Sequence, residues 1–129
     1  MMLLLDTHVW VWSFFDPAKL SLSAKDAIAN ASALYISPIS VYEVSQKVRL
    51  GKWPEMTDHL GLLRNSPFIL SATLTDEIAD LAGSLEWGHR DPFDRMIAAT
   101  AMDMKCSLVS KDGQFDDLKL VAGWKSRIW

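Results

Sequence analysis

The chain has 129 residues, half of them hydrophobic and 22% charged, so we expect one globular domain over residues 1–129 and exclude a disordered chain. A formal net charge of −3 excludes a protein that binds nucleic acid or anionic membranes by overall charge alone. A nucleic-acid substrate would therefore need charge compensation at the point of contact, for which a bound metal ion is the obvious candidate.

The predicted elements are short apolar strands that alternate with amphipathic helices. In chain order they are a strand at 3–5, a helix from about 9, a helix at 24–31, a strand at 33–36, a helix from 38 to about 50, a helix at 56–64, a strand at 68–70, a helix from 76 to about 85, a helix from 92 to about 104, a strand at 106–109 and a last strand at 119–121.

This alternation predicts an α/β fold with a mostly parallel central sheet that is covered by helices on both faces. Ligands of such sheets bind beyond the carboxyl ends of the strands, near the point where the strand order reverses. Asp6 directly follows the first predicted strand, and Asp112 follows the strand at 106–109. We therefore expect both carboxylates at the same edge of the sheet.

The first few residues and the cysteine content bear on location. The apolar run at 1–5 has no basic lead and is broken at once by Asp6 and His8, which argues against a signal peptide or a membrane span. The single cysteine, Cys106, cannot form an internal disulfide and is expected in the core. A cytoplasmic location without membrane contact is the resulting expectation.

The most informative run of the sequence is residues 89–94, His-Arg-Asp-Pro-Phe-Asp. Pro92 suits the first position of a helix, and Asp91 is a good N-cap before it. Asp94 then falls in the first turn, where free N–H groups and the helix dipole favour a negative charge. By itself the run fits a well-capped helix as well as a functional site.

Four acidic residues from four different predicted elements are the candidate site: Asp6, Glu43, Asp94 and Asp112. Each has an ordinary structural explanation, such as a turn residue or, for Glu43, an ion pair with Lys47 one helical turn away. Carboxylates brought to one sheet edge repel one another, and a hard cation such as Mg²⁺ or Mn²⁺ relieves that repulsion. Such a metal site suits phosphate-ester hydrolysis, whereas the scattered histidines and lone cysteine do not suggest zinc.

Four segments, taken together, resemble the motifs of a known family. They are residues 3–8, 40–52, 89–95 and 109–115, and they contain Leu-Asp-Thr-His, Ser-Val-Tyr-Glu-Val, Asp-Pro-Phe-Asp-Arg and Val-Ser-Lys-Asp-Gly. In this order they resemble the PIN-domain ribonucleases, above all the VapC-like toxins of type II toxin–antitoxin modules. The resemblance implies a three-layer α/β/α sandwich, a homodimer, and a cognate antitoxin whose tail blocks the active site.

The resemblance also implies roles for individual residues. Asp6, Glu43, Asp94 and Asp112 would form the catalytic Mg²⁺ or Mn²⁺ site of an endoribonuclease. Supporting positions are Asp91, Ser110 and Asp116. Ser110 stands where the family often has threonine and keeps the hydroxyl that would orient a carboxylate. Asp112 is favoured over Asp116 as the fourth acid because it follows the strand more closely, although this choice stays open.

Basic residues close to the motifs are candidates for contacts with RNA phosphates, and they would offset the acidic balance. They are Lys47, Arg49, Lys52, Arg95 and Lys111. Each of them can equally be a solubilising surface charge, and Arg95 can instead pair with Asp91.

Aromatic residues crowd the first predicted helix: Trp10, Trp12, Phe14 and Phe15. Four rings in six residues cannot all face one interior, so some are expected at a surface for the dimer or the antitoxin. This interpretation is preferred to base stacking, because stacking platforms usually combine aromatic with basic residues.

Other functions are compatible with an aspartate after the first strand. A haloacid-dehalogenase-type, Mg²⁺-dependent phosphohydrolase would need a second aspartate two residues later, where this chain has His8. A phosphoacceptor receiver domain would not use an acidic helix start like that of residues 91–94. A catalytically silent PIN scaffold that acts only through partner binding is a third alternative, which the presence of all four acids disfavours.

Overall fold

Five parallel strands form one sheet in the computed structural model, which describes all 129 residues. The strands are β1 (Met2–Leu5), β2 (Ala33–Ile36), β3 (Ile69–Ser71), β4 (Ser107–Val109) and β5 (Arg127–Ile128). Their order is β3-β2-β1-β4-β5, and every neighbouring pair is parallel. The predicted α/β class is confirmed, and the strand order reverses between β1 and β4.

Six α-helices connect and flank the strands. They are α1 (Thr7–Phe15), α2 (Leu22–Asn30), α3 (Pro38–Arg49), α4 (Leu60–Arg64), α5 (Asp76–Ser84) and α6 (Pro92–Met104). The side chains of Ser21, Ser37 and Asp91 each accept a hydrogen bond from a backbone N–H of the first turn, as expected for Asp91. None of these helices is both long and apolar enough to span a bilayer.

The central strand β1 divides the core in two because successive side chains point to opposite faces of the sheet. Leu3 and Leu5 belong to one cluster, which also contains Val9 and Trp10 of α1. Leu4 belongs to the other cluster, with residues of α6 and β4. All three leucines are fully buried, and helices therefore cover both faces of the sheet.

The predicted strand at 119–121 is wrong. Residues Gly113–Leu120 form a 3₁₀ helix, and Leu120 is 90% exposed, so it contributes nothing to the core. The last strand of the sheet, next to β4, is instead β5, which the sequence analysis did not predict. With only two residues and one arginine, β5 has too little periodicity to be recognised from sequence.

The predicted helix at 56–64 is also shorter than expected. A 3₁₀ turn at Pro54–Met56 is followed by the short helix α4, over Leu60–Arg64. Gly61 lies within this stretch, and glycine lowers helix stability. The other predicted helices are present with ends shifted by only a few residues.

Candidate active site

Asp6 lies between the central strand and α1 and is 8% exposed. Its Oδ1 accepts a hydrogen bond from the backbone N–H of Thr7 (2.8 Å), and its Oδ2 accepts one from Oγ of Ser110 (2.6 Å). The pKa of Asp6 is raised to about 7, mainly because the carboxyl group is buried. The two hydrogen bonds lower this pKa, and the negative charges of Asp94 and Glu43 raise it. An ionised Asp6 therefore needs a positive partner.

Glu43 reaches the same region from α3 and is also only 8% exposed. Its Oε2 lies 3.0 Å from Nζ of Lys47, which is one helical turn further along α3. The helix is joined to α1 by a buried hydrogen bond from Oγ1 of Thr7 to Oγ of Ser40 (2.9 Å). This contact holds α3 beside the end of β1 and places Glu43 near Asp6.

Asp94 stands in the first turn of α6, where the sequence predicts it. Its Oδ2 is 2.6 Å from Nε2 of His89. Burial raises the pKa of Asp94, whereas the hydrogen bond with His89 lowers it. Asp91 caps the helix through a hydrogen bond from the backbone N–H of Phe93 to Oδ1 (2.9 Å). The acidic helix start is thus structurally capped and faces the site.

Asp112 is positioned by Ser110, whose Oγ accepts a hydrogen bond from the backbone N–H of Asp112 (3.0 Å). Single ligand atoms of His89, Asp94 and Asp112 all lie within 4.8 Å of one another. Sequence reasoning did not select His89 as a site residue. Its position five residues before Asp94, in the most specific motif, was the available signal.

The acidic side chains at this edge of the sheet line one cavity of about 430 Å³. The carboxylates that line it are Asp6, Glu43, Asp91, Asp94 and Asp112. The only basic side chains in its lining are Lys47 and Lys111. Five carboxylates against two lysines, with the pKa values of Asp6 and Asp94 raised, form a donor set that fits a hard divalent cation. The structure therefore brings together all four acids of the candidate site.

The two open alternatives for the fourth acid differ clearly in position. Asp112 lines the cavity, whereas Asp116 does not. Both carboxylate oxygens of Asp116 accept hydrogen bonds from Arg127, at 2.9 Å from Nε and 2.7 Å from Nη2. Arg127 also donates to the backbone carbonyl of Ser110 (3.0 Å). Asp116 thus takes part in an ion pair that supports the loop after β4.

Arg95 does not have the expected role in phosphate binding. Its guanidinium donates hydrogen bonds to four backbone carbonyls, one near the end of α5 and three in the segment that connects α5 and α6. The acceptors are Ala82 (2.8 Å), Leu85 (2.6 Å), Trp87 (2.8 Å) and His89 (2.9 Å). Because these carbonyls occupy the guanidinium, it has no pair of free N–H groups for a phosphate. It also does not form the alternative ion pair with Asp91. Arg95 shapes the loop that presents His89.

The aromatic residues of α1 are divided between core and surface. Trp10 is fully buried, whereas Phe15 is 37% exposed. Trp12 lines the acidic cavity together with His8. Neither of these two residues was chosen as a site residue from the sequence, because their roles depend on neighbours that are distant in the chain.

A parallel sheet with a carboxylate-lined cavity at its reversal point defines an α/β protein with an acidic candidate metal site. The family model for the PIN domain matches residues 3–120, and the chain belongs to this family. The chain is 30% identical over 119 residues to Ribonuclease VapC22 of Mycobacterium tuberculosis. The match covers 84% of this chain and 85% of that protein.

Solved structures share the fold. The crystal structure of VapBC2 from Rickettsia felis, bound to a DNA fragment from its promoter, has a chain that matches with a TM-score of 0.70 and 16% identity over all of both chains. VapC20 of Mycobacterium tuberculosis, a toxin that cleaves the sarcin-ricin loop, matches with a TM-score of 0.69 and 14% identity, covering 92% of this chain and 96% of that one.

Proposed function

We propose that this PIN-domain protein is a VapC-like toxin, a metal-dependent endoribonuclease that hydrolyses RNA phosphodiester bonds. The observation that carries the proposal is the convergence of four acids from separate elements in one cavity. The similarity to Ribonuclease VapC22, which extends over most of both chains, supports the same reaction.

Asp6, Glu43, Asp94 and Asp112 would hold Mg²⁺ or Mn²⁺, both of which prefer oxygen ligands. Bound there, the cation would activate water for attack and neutralise charge on the phosphoryl oxygens. Hydrolysis in this manner leaves a 5′-phosphate and a 3′-hydroxyl end. His89 lies close enough to Asp94 and Asp112 to join the set, or to hold Asp94 in position.

Buried residues behind the cavity would orient the acids, and two lysines of its lining would bind the substrate. Ser110 and the N–H of Thr7 hold both oxygens of Asp6, which limits the carboxylate to one orientation. Lys47 and Lys111 are the lysines that line the cavity, and in this proposal they bind phosphates of the RNA. A cytoplasmic location follows from the RNA substrate.

The partners in this proposal are a cognate antitoxin and a second copy of the chain. A cavity with five carboxylates attracts a basic antitoxin segment, which would block access of RNA. Exposed apolar side chains outside the cavity offer surface for the antitoxin and the homodimer. They include Phe15, Leu22 and Leu62.

The test is cleavage of structured RNA by the purified protein, free of antitoxin. We expect cutting with Mg²⁺ or Mn²⁺, none with EDTA, and none for Asp94→Asn. The matched control is Asp117→Asn, which changes an exposed aspartate outside the cavity and should cut like the wild type. Cleavage that persists in EDTA or in Asp94→Asn contradicts the proposal. Expression without antitoxin should arrest growth, whereas a catalytically silent scaffold would not.

A further inference from the structure

A second recess, of about 350 Å³, adjoins the acidic cavity. We name it the aromatic groove. Its aromatic and basic side chains are His8, Trp12, Lys19, Lys47, Lys52 and Trp53. Three of these, His8, Trp12 and Lys47, also line the acidic cavity, so the two spaces are continuous.

The rings of the aromatic groove form one wall. The ring centroid of His8 lies 5.5 Å from that of Trp12 and 5.1 Å from that of Trp53. All three side chains are half-buried, so their positions are held while part of each ring stays open to solvent. Such rings offer stacking surface for a planar group.

The aromatic groove and the acidic cavity differ in the charge of their side chains. The groove has three lysines and one acid, Glu55, whereas the cavity has five carboxylates and two lysines. Two of the lysine amino groups lie over the tryptophan rings: Nζ of Lys19 is 5.7 Å from the Trp12 centroid, and Nζ of Lys47 is 5.4 Å from the Trp53 centroid. Planar rings beside basic side chains are what a nucleobase and its phosphates require.

We propose that the aromatic groove binds an unpaired nucleotide of the RNA next to the scissile phosphate, an inference that rests on the proposed ribonuclease function. The base stacks on Trp12 or Trp53, and the lysine above that ring moves to a backbone phosphate. Because Lys47 is common to both spaces, the strand passes directly from the groove to the metal site.

The occupant that the charges favour is RNA and not the antitoxin. A segment that blocks five carboxylates has to be basic, and the three lysines of the aromatic groove repel such a segment. Sequence alone favoured a protein contact for Trp12, because no basic residue is near it in the chain. The fold supplies those residues: Lys47 and Lys52 come from α3 and the turn after it, and Lys19 comes from the turn after α1.

The first experiment measures binding without cleavage. A fluorescein-labelled, unstructured RNA oligonucleotide is titrated with protein in EDTA and followed by anisotropy. Trp53→Ala should raise Kd about ten-fold, and Trp53→Phe should restore most of the affinity. Lys52→Gln should lower the slope of log Kd against log salt by about 0.7, whereas exposed Lys25→Gln should leave it unchanged. Phe68→Ala, an exposed aromatic outside the groove, is the control for ring loss.

Trp53 also packs against the core, so folding of each variant is checked by thermal melting. Lys52 is exposed, and its replacement does not endanger the fold.

The second experiment locates the base directly. RNA that contains 5-iodouridine is cross-linked to the wild-type protein, and the attachment sites are mapped by mass spectrometry. Cross-links at Trp12 or Trp53 support the proposal, and cross-links confined to other residues overturn it.

Cleavage assays with Mg²⁺ separate failure of this inference from failure of the proposed function. A wild-type protein that neither cleaves nor binds RNA overturns both. If the wild type cleaves, but Trp53→Ala and Lys52→Gln keep its Kd and KM within two-fold, only the groove proposal fails. It also fails if these variants weaken binding of an arginine-rich peptide while RNA affinity is unchanged, because the groove would then serve a protein partner.

Discussion

Oγ of Ser110 donates a hydrogen bond of 2.6 Å to Oδ2 of Asp6, a residue 104 positions earlier in the chain. The same hydroxyl accepts from the backbone N–H of Asp112, so one small side chain positions two acids of the cavity. Ser110→Ala should weaken Mn²⁺ binding about ten-fold, because an orienting partner of a ligand is lost. Isothermal titration calorimetry measures this change, and Ser110→Thr should restore the affinity.

A neighbouring serine provides the control for this prediction. Oγ of Ser107 lies 2.7 Å from Oγ of Ser126, away from the cavity. Ser107→Ala and Ser110→Ala should each lower the free energy of unfolding by about 1–3 kcal/mol, the typical effect of losing a buried hydrogen bond. Only the Ser110 variant should change metal affinity. Equal loss of affinity in both would reduce the role of Ser110 to general stability.

The metal-free protein should lose stability as pH rises from about 4 to about 7. Burial raises the pKa of Asp6 to about 7, from 3.8, so in this range the folded protein keeps a proton that the unfolded chain releases. Asp94 acts in the same direction, whereas the lowered pKa of His8 acts against it below pH 6.5. Urea unfolding in EDTA measures the trend. Asp6→Asn should flatten it, and Asp103→Asn, on the exposed side of α6, should not.

Addition of Mn²⁺ should remove this loss of stability at pH 7.5. The cation binds the ionised carboxylates, so its binding becomes stronger as the protons leave and stabilises the folded state by mass action. The melting temperature should therefore rise more with Mn²⁺ at pH 7.5 than at pH 5.5. An equal rise at both pH values would show that the cation binds away from the buried acids.

Arg95 should contribute to stability and not to substrate affinity. Its guanidinium donates to four carbonyls, one near the end of α5 and three between α5 and α6, and an alanine would leave them without these donors. We expect Arg95→Ala to lower the free energy of unfolding by about 2–4 kcal/mol in a urea titration. Arg95→Lys should restore only part of it, because an ammonium has three donors and no planar fork. Exposed Arg90→Ala should cost less than about 0.5 kcal/mol.

Asp112 and Asp116 should differ in their effect on the metal site. The side chain of Asp116 is 54% exposed and paired with Arg127, so Asp116→Asn should cost less than about 1 kcal/mol of stability and leave Mn²⁺ affinity unchanged. Asp112→Asn removes a carboxylate of the cavity and should weaken Mn²⁺ binding about ten-fold or more. Calorimetry on both variants decides between the acids, and the opposite ranking would assign the site to Asp116.

Much of the fold follows from local signals in the sequence. The apolar run before Asp6 and the pairs Ser37-Pro38 and Asp91-Pro92 predict β1 and the starts of α3 and α6, because caps and short hydrophobic runs act over a few residues. The acids could be assigned to one edge of the sheet because parallel strands place their carboxyl ends together.

The missed features depend on contacts between distant parts of the chain. The two-residue strand β5 forms because β4 offers it an edge, and no periodicity marks it. From the sequence alone Arg95 is interpreted as a surface charge. Its partners in the fold are main-chain carbonyls, which no sequence pattern marks. The aromatic groove combines Lys19 with Lys52 and Trp53, which only the fold brings together.

The central place of β1 has a consequence for synthesis of the protein. Its partner β4 and the hydroxyl that holds Asp6 are synthesised about a hundred residues after this strand. A growing chain therefore cannot assemble the cavity, and such long-range closure is slow to form. A nuclease arranged in this way stays inactive until the segment that contains β4 and Ser110 has been made.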